Sequence, residues 1–228
     1  MIRWFVVLTW ILWSLGAGDL SPAREAKIFS MGRKVSHTLC DKSRLEQLDL
    51  HRSQAAILAE LNGTICRPME TEYLLALYAY LAHPHSAASA QKITGYTHAD
   101  RCPVCGMFIY KHPDWTASIY FANGKTIYFD GVKDLMKYYL YADKFLYDRS
   151  AIVRMAVPDF YTLRAIDSRT AFYVIGSHIR GPMGNELIAF ATRDNAETFR
   201  RDHHGLRIVR FEEITPSLIA EIDRHVRR

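Results

Sequence analysis

Hydrophobic positions between residues 24 and 85 recur at intervals of three and four, which is the period of an amphipathic helix. Ile28 and Val35 share one such face, and the same spacing returns at residues 74–81. We therefore expect a small all-helical module over residues 24–85. The residues that follow, 86–93, are mostly small or polar and show no period, so they are expected to form a linker.

After the linker the pattern changes to runs of β-branched and aromatic residues, which are typical of strands. Two such runs flank Asn123 and Gly124, a dipeptide that favours a tight hairpin turn. An amphipathic helix is predicted over residues 131–140, and residues 151–157 are predicted to form a strand. The expected order is strand, strand, helix, strand.

The same order returns further along the chain. The segments AFYVIGS and ELIAFAT are predicted strands, DNAETFRRDH is a predicted helix that begins at Asp194 or Asn195, and LRIVRFEEI is the third predicted strand. A final helix with Thr215 as its N-cap is expected after them. The predicted fold class is therefore α+β, with two ββαβ units duplicated in one domain over residues 94–228, after the helical module.

Residues 1–23 have the order of a Sec-type signal peptide: a basic residue, a short apolar run and small residues. Arg3 precedes the apolar run at residues 4–18, and cleavage is expected after Ala17 or Ala23. The run is shorter than the ~20 residues that cross a bilayer comfortably. An uncleaved tether to the inner membrane is the alternative, and in either case the rest of the chain is expected in the periplasm.

Charge and composition exclude two classes of function. The 228 residues carry a net charge of +5, but the basic residues are scattered rather than gathered on one helix or stripe. No nucleic-acid partner is therefore expected. The polar residues show no pattern of nucleophile, base and orienting group, so we expect a protein that is not an enzyme.

The main candidates for metal binding lie in the segment CPVCGM, residues 102–107. Two cysteines separated by two residues can hold one metal ion or close a disulfide. Gly106 allows a tight turn, in which the sulfur atoms of Cys102, Cys105 and Met107 would converge. Thiolates with a thioether are soft donors, which Cu(I) prefers. A Cu(I) site at these three residues is the main hypothesis.

Two other functions use the same pair. A periplasmic thiol-disulfide oxidoreductase would use Cys102 and Cys105 as a redox dithiol. Such a dithiol normally opens a helix, whereas the following residues MFIY are predicted to be a strand. A zinc-stabilised interaction module would need further ligands, for which Cys40 and Cys66 are the available cysteines.

Other polar residues have candidate supporting roles. His98 and His112 flank the cysteine motif, and either is an alternative donor to copper. Asp130 is a turn residue that could bond to a ligand histidine. His203 and His204 lie at a predicted helix end, where a cation complements the helix dipole, so no metal role is expected for them.

Cys40 and Cys66 are expected to form a disulfide, as is common in exported proteins. One straight helix over residues 43–61 would hold its ends about 27 Å apart, far beyond disulfide reach. The bridge therefore requires that stretch to break near residues 49–52. The alternative is a second copper site formed by these two cysteines with Met69.

The segments CPVCGM, FANGKTIYFDGVKDLMKYY, AFYVIGSHIRGPMGNELIAFAT and GLRIVRFEEI together resemble the NosL family of nitrous-oxide reductase accessory proteins, over about residues 100–214. The resemblance implies a periplasmic Cu(I) chaperone that supplies the copper-sulfide centre of nitrous-oxide reductase. That enzyme, or its assembly proteins, would then be the copper-accepting partner. The resemblance places Cys102, Cys105 and Met107 in the metal site, and it adds Met183 of the second repeat.

The chain departs from this family at three places. Family members are commonly lipoproteins, whereas no cysteine follows the apolar run of this chain. Asp130 is followed by Gly131 where the family usually has paired aspartates. The helical region is an addition that weakly resembles a small cytochrome c, but it lacks Cys-X-X-Cys-His, so no covalent haem is expected.

Overall fold

The computed structural model of the chain describes residues 22–82 and 92–224. The predicted signal peptide lies outside these ranges except for its last two residues, and Ala23 is part of the first helix. Most of the predicted linker also lies outside them, so the predicted domain boundaries stay predictions. None of the helices within the described ranges combines the length and the apolar character that crossing a bilayer requires.

The described part of the chain folds into seven helices and seven strands, with short 3-10 turns between them. The helices are α1 (Pro22–Leu39), α2 (Lys42–Glu46), α3 (Gln54–Leu61), α4 (Thr71–Ala82), α5 (Val132–Leu140), α6 (Arg193–Asp202) and α7 (Pro216–Arg224). The strands are β1 (Ala117–Phe121), β2 (Thr126–Phe129), β3 (Ile152–Pro158), β4 (Ala165–Asp167), β5 (Phe172–Ile175), β6 (Ile188–Phe190) and β7 (Arg207–Val209). This mixture of helices and antiparallel sheets is the α+β class that the sequence predicts.

Cys40 and Cys66 form a disulfide in the helical module, with their Cα atoms 3.9 Å apart. The bridge is possible because α2 and α3 are separate helices, as the sequence analysis requires. Asp41 caps the first with its carboxylate, and Ser53 caps the second with its hydroxyl. The disulfide prediction is confirmed, and the copper site with Met69 is wrong because a disulfide leaves no thiolate to bind the metal.

Helix α1 connects the helical module with the β-containing part. It packs closely on α4, where a Cβ atom at Gly32 would overlap the backbone of Ala76. It also packs on α6, and Lys27 pairs with Asp202 at 2.7 Å. The two parts of the described chain are therefore in direct contact through one helix.

The two ββαβ units are present as predicted. β1, β2, α5 and β3 form the first, and β5, β6, α6 and β7 form the second. The sheets have the orders β2-β1-β3-β4 and β6-β5-β7, so in each unit the first strand lies between the other two. The hairpin register pairs Ala117 with Phe129, which leaves the turn at Asn123 and Gly124.

Three details differ from the sequence predictions. Helix α6 begins at Arg193 because the Thr192 hydroxyl accepts the N–H of Asn195 and caps the helix there. The third strand of the second unit ends at Val209, since the Arg210 N–H bonds to the Glu213 carboxylate and starts a 3-10 turn. Strand β4 was not predicted, and it pairs with β3 at the edge of the first sheet.

One hydrophobic core receives side chains from both units and from α7. Its buried members include Ile119, Phe129, Leu135, Met155, Tyr173, Ala189, Val209 and Ile219. Cys102 belongs to this core, whereas Cys105 is only packed against it. The cysteine motif is thus anchored through Cys102 in the core that the two units share.

Candidate metal centre

The cysteine motif forms a closed turn. The Cys102 N–H donates to the Met107 carbonyl at 2.9 Å, and the Gly106 N–H donates to the Cys102 carbonyl at 2.8 Å. Gly106 has a φ of +79°, a left-handed conformation that favours glycine. Arg101 stabilises the turn from outside, because its guanidinium reaches the Gly106 carbonyl and stacks on the Phe108 ring.

The residues after the turn are not a strand, contrary to the prediction. Ile109–Lys111 is a 3-10 turn, which is closed by the Lys111 N–H bond to the Phe108 carbonyl and the His112 N–H bond to the Ile109 carbonyl. Within this segment, β-pairing is limited to one isolated bridge between Arg101 and Phe108. The motif therefore belongs to neither a helix N-terminus nor a strand.

Two carboxylates meet the two thiols. Asp130 follows β2, and Asp134 lies in the first turn of α5, where both are fully or almost fully buried. The Cys105 thiol lies 3.1 Å from Asp130 Oδ1, and the Cys102 thiol lies 3.4 Å from Asp134 Oδ2. One ligand atom from each of the four side chains lies within 4.8 Å of all the others. That is the size of a site for a single metal ion.

Burial controls the protonation of this group. It raises the pKa of the Cys102 thiol far above its usual range, and the neighbouring Asp134 carboxylate acts in the same direction. It also raises the pKa of Cys105 to about 12 and the pKa of Asp134 above its usual value. Without a metal ion, both thiols therefore remain protonated and donate to the carboxylates.

One carboxylate oxygen of the site has no partner within the described ranges. Asp130 Oδ2 is buried, yet no donor in residues 22–82 or 92–224 reaches it. A buried acceptor without a donor is costly, and a bound cation would remove that cost. Asp130 accepts a hydrogen bond from the Cys105 thiol and not, as the sequence suggests, from a ligand histidine.

Met107, His98 and His112 are the other predicted ligands near the cysteine motif. Met107 closes the cysteine turn and is half-buried. The exposed His98 stacks on Tyr110, with ring centroids 4.4 Å apart. Within the part of the chain that the structure describes, neither His98 nor His112 belongs to the group of converging ligand atoms.

Met183 lies in a turn between Gly181 and Gly184 and is 42% exposed. Its carbonyl accepts a hydrogen bond from the Lys133 ammonium at 3.1 Å. Since Lys133 lies in the first turn of α5 beside Asp134, this bond holds the Met183 turn next to the helix end that carries the carboxylates. Lys133 also pairs with Asp223 of α7 at 3.2 Å.

Glu186 anchors the same turn from inside. Its side chain is buried, and one carboxylate oxygen accepts the N–H groups of Lys133 at 2.6 Å and Leu187 at 2.9 Å. Burial raises its pKa to about 8. Gly131 and Gly181 make room for it, because a Cβ atom at either position would crowd the carboxylate. The departure from paired aspartates at Gly131 therefore has a steric reason.

Asp134, Lys133 and Glu186 are functional residues that the sequence pattern did not predict. A signal for Asp134 was present, because it lies four residues after Asp130 and next to the apolar positions of a predicted helix. No local signal pointed to Glu186, whose bond to Lys133 spans 53 positions of the chain.

Comparison with known proteins gives a consistent assignment. The NosL family model matches residues 93–219. The copper-binding lipoprotein NosL of Stutzerimonas stutzeri is 31% identical over 135 residues, which cover 54% of this chain. The chain spans 66% of the length of that relative.

Two solved structures are similar to this chain. The crystal structure of the copper chaperone NosL from Shewanella denitrificans has 25% sequence identity and a TM-score of 0.48, and the match covers 55% of this chain and 97% of that one. The solution structure of the apo-NosL protein from Achromobacter cycloclastes has 26% identity and a TM-score of 0.34, over 45% of this chain and 87% of that one.

Proposed function

The chain belongs to the NosL family, and from this premise we propose that it is a copper chaperone that carries one Cu(I) ion between Cys102 and Cys105. The observation that carries the proposal is the convergence of both thiols and two carboxylates within 4.8 Å, on one closed turn and one helix end. A relative named as a copper-binding lipoprotein supports copper as the cargo.

The four groups have different tasks in this proposal. The two sulfur atoms hold Cu(I), because thiolates are the soft ligands that this ion prefers. Asp130 and Asp134 accept the thiol protons when the metal enters and pass them to solvent, since hard carboxylates are poor ligands for Cu(I). The thioether of Met107 completes the site, and Met183 is a fourth donor from the turn beside α5.

Transfer then proceeds by ligand exchange. Cys102 is 1% exposed, whereas Cys105 is only half-buried, so an acceptor reaches the ion from the Cys105 side. A thioether binds Cu(I) more weakly than a thiolate does, so a ligand atom of the receiving protein displaces the thioether first. Loading breaks the S–H bonds of the two thiols and release re-forms them with protons from solvent. All other bonds made or broken are metal–ligand bonds, so the protein acts as a carrier and not as an enzyme.

We further propose that the chain is exported and acts in the periplasm, where nitrous-oxide reductase or its assembly proteins accept the copper. The disulfide between Cys40 and Cys66 supports an oxidising compartment. The signal-like pattern of residues 1–23 supports export, and an uncleaved N-terminus would tether the protein to the inner membrane.

Anaerobic titration with Cu(I) against a competing chelator tests the metal site. The parent chain is expected to bind one Cu(I), and Cys102→Ser or Cys105→Ser is expected to weaken binding by more than about 100-fold, because a ligand contributes more than an outer partner does. Met107→Leu is expected to weaken it about tenfold, or roughly 1.4 kcal/mol. X-ray absorption should count one sulfur donor fewer in that variant.

Met31→Leu is the matched control, because Met31 is a half-buried methionine of α1 that lies in the helical module. It should leave both the affinity and the donor count unchanged. Equal Cu(I) affinity in the parent chain and in both cysteine variants would refute the proposed site.

A zinc-stabilised module is the second candidate, and the two carboxylates favour it. Zn²⁺ accepts thiolate and carboxylate ligands in a tetrahedron, and the four converging groups supply both types. A structural zinc site contributes folding energy, so chelation would unfold the domain, whereas removal of a copper cargo would leave the circular dichroism nearly unchanged.

The thiol-disulfide oxidoreductase has less support. A redox dithiol needs a thiolate, and a helix N-terminus or a positive neighbour usually lowers the pKa of its cysteine. Here burial and the carboxylates raise the pKa of both thiols instead.

A further inference from the structure

Three histidines gather at the C-terminal end of α6, in the second unit. His203 follows the last residue of the helix, His204 comes next, and His178 lies in the loop after β5. We call these three residues the imidazole cluster. We propose that the imidazole cluster is a second metal site, separate from the cysteine motif, that binds a divalent d-block cation such as Cu²⁺.

The spacing of two nitrogens supports the site. His178 Nε2 and His203 Nδ1 lie 3.3 Å apart, and the two rings cross at 63°. An ion that holds two ring nitrogens at about 2.0–2.1 Å with a tetrahedral angle separates them by roughly 3.3 Å. Without a metal ion the two nitrogens are within hydrogen-bond distance of each other, and a cation could take the place of that contact with little movement of either ring.

The backbone holds this pair in register. The His178 N–H donates to the His203 carbonyl at 3.1 Å, and the His203 N–H donates to the Phe199 carbonyl at 2.9 Å. The His203 ring rests on the Phe199 ring, with centroids 4.4 Å apart. Both imidazoles are therefore oriented before any ligand arrives, which lowers the entropic cost of binding.

His204 supplies the third imidazole. It has a φ of +53°, an unusual left-handed conformation for a residue with a side chain. Its ring centroid lies 5.8 Å from that of His178, so it is near the pair but does not yet contact the same point. His178 and His204 are exposed, so an ion reaches the cluster from solvent and water completes its coordination.

The surroundings of the imidazole cluster suit a cation. The half-buried His203 ring contacts both the exposed His178 ring and the Phe199 ring. The C-terminal end of α6 carries the negative end of the helix dipole. Two lysines of α1 also act on His203: Lys27 is paired with Asp202 at 2.7 Å, and Lys34 lies over the Phe160 ring, 5.1 Å from its centroid.

The donor type distinguishes this site from the cysteine motif. Imidazole suits Cu²⁺, Ni²⁺ and Zn²⁺, and Cu²⁺ binds tightest in that series, whereas thiolate and thioether suit Cu(I). The inference does not depend on the proposed function, because neither Cys102 nor Cys105 takes part in the imidazole cluster.

Titration with Cu²⁺ tests the inference. It uses a full-length Cys102→Ser, Cys105→Ser variant, which has no free thiol that could reduce the ion. This variant is expected to bind one Cu²⁺, with nitrogen hyperfine structure in its electron paramagnetic resonance spectrum. His178→Ala and His203→Ala in the same background are each expected to weaken binding at least about tenfold and to remove that structure. His51→Ala is the control, because His51 is an exposed histidine of the helical module.

Equal Cu²⁺ affinity in the background variant and in both histidine variants would overturn the inference, and so would the absence of binding. His178 is exposed, so its alanine variant is expected to keep the far-ultraviolet circular dichroism of the parent. If the serine background does not fold, Ni²⁺ calorimetry on the chain with its cysteines gives the same comparison. Cu²⁺ binding at the imidazole cluster together with no Cu(I) binding by the parent chain would refute the proposed function alone.

Discussion

Individual side chains decide how the cysteine pair behaves. Cys102 and Cys105 have the same spacing as many redox or zinc motifs, but their neighbours differ from those of either class. Each thiol faces a buried carboxylate, which keeps its proton in place. The pair is therefore unreactive without a metal ion and becomes a strong ligand set only when an ion displaces the protons.

Copper affinity is expected to increase with pH for this reason. The pKa of Cys105 is raised to about 12 and that of Cys102 lies higher, so both thiols are protonated at pH 6–8. Binding releases one to two protons, depending on whether Asp134 retains one, and the affinity should rise about 10- to 100-fold per pH unit. Chelator competition at pH 6, 7 and 8 measures the slope, and an affinity that does not vary with pH would contradict it.

At the scale of elements, the N-terminal end of α5 is the point where several segments meet. The helix carries Asp134 towards the thiols and Lys133 towards α7, and its first turn binds the turn that contains Met183. Glu186 joins that turn to the helix from inside the fold. A change at Glu186 would therefore act on the position of Met183 without touching the thiols.

Glu186→Gln is expected to change the pH dependence of stability. The folded-state pKa of Glu186 is raised from 4.5 to about 8, so the folded state binds the proton more tightly than the unfolded state does. Its contribution to stability is complete below about pH 4.5 and is lost as pH rises towards 8, at up to about 1.4 kcal/mol per pH unit. Glutamine keeps the acceptor oxygen and does not titrate, so this slope should disappear.

Denaturant unfolding at pH 5, 6.5 and 8 measures that effect as a difference between parent and variant. Glu46→Gln is the control, because Glu46 is an exposed residue of α2 and should leave the slope unchanged. A Glu186→Gln variant with the slope of the parent would show that the Glu186 carboxyl has an ordinary pKa.

Considered as a whole, the described part of the molecule has three hydrophobic clusters. One lies in the helical module around Ile57, Leu61 and Leu77 and includes Cys66 of the disulfide, and a smaller one lies under α6 around Phe190 and Phe199. The cysteine motif belongs to the core shared by the two ββαβ units. Helix α1 connects the parts through contacts with α4 and α6.

Removal of the disulfide is therefore expected to lower the stability of the helical module without changing the affinity for Cu(I). Cys40→Ser with Cys66→Ser opens a loop of 26 positions and should lower the free energy of unfolding of the helical module by about 3 kcal/mol. Cu(I) affinity at Cys102 and Cys105 should not change, because those thiols belong to the core shared by the two ββαβ units. Thermal unfolding and chelator competition on the same variant check both expectations, and weaker Cu(I) binding would show that the two cores are coupled.

Much of this architecture was predictable because its causes are local. The hairpin at Asn123 and Gly124, the helical face of α5 and the cap at Thr215 each depend on residues within one or two turns of the chain. The break near residues 49–52 followed from the reach of a disulfide. The strand predicted after Gly106 was wrong, because the segment pairs only with Arg101 in one isolated bridge and then forms a 3-10 turn at Ile109–Lys111.

The order of elements, the two repeated units and the cysteine turn can be read from the amino-acid sequence, because periodicity and turn chemistry act over a few residues. The three-dimensional packing was needed to show that Asp130 and Asp134 face thiols 25 and 32 positions away, and that His178 meets His203 across 25 positions. The reason is physical: a buried polar residue finds its partner through the packing of helices on sheets. The pattern of hydrophobic and polar positions indicates that a polar residue will be buried, but it does not indicate which distant residue will face it.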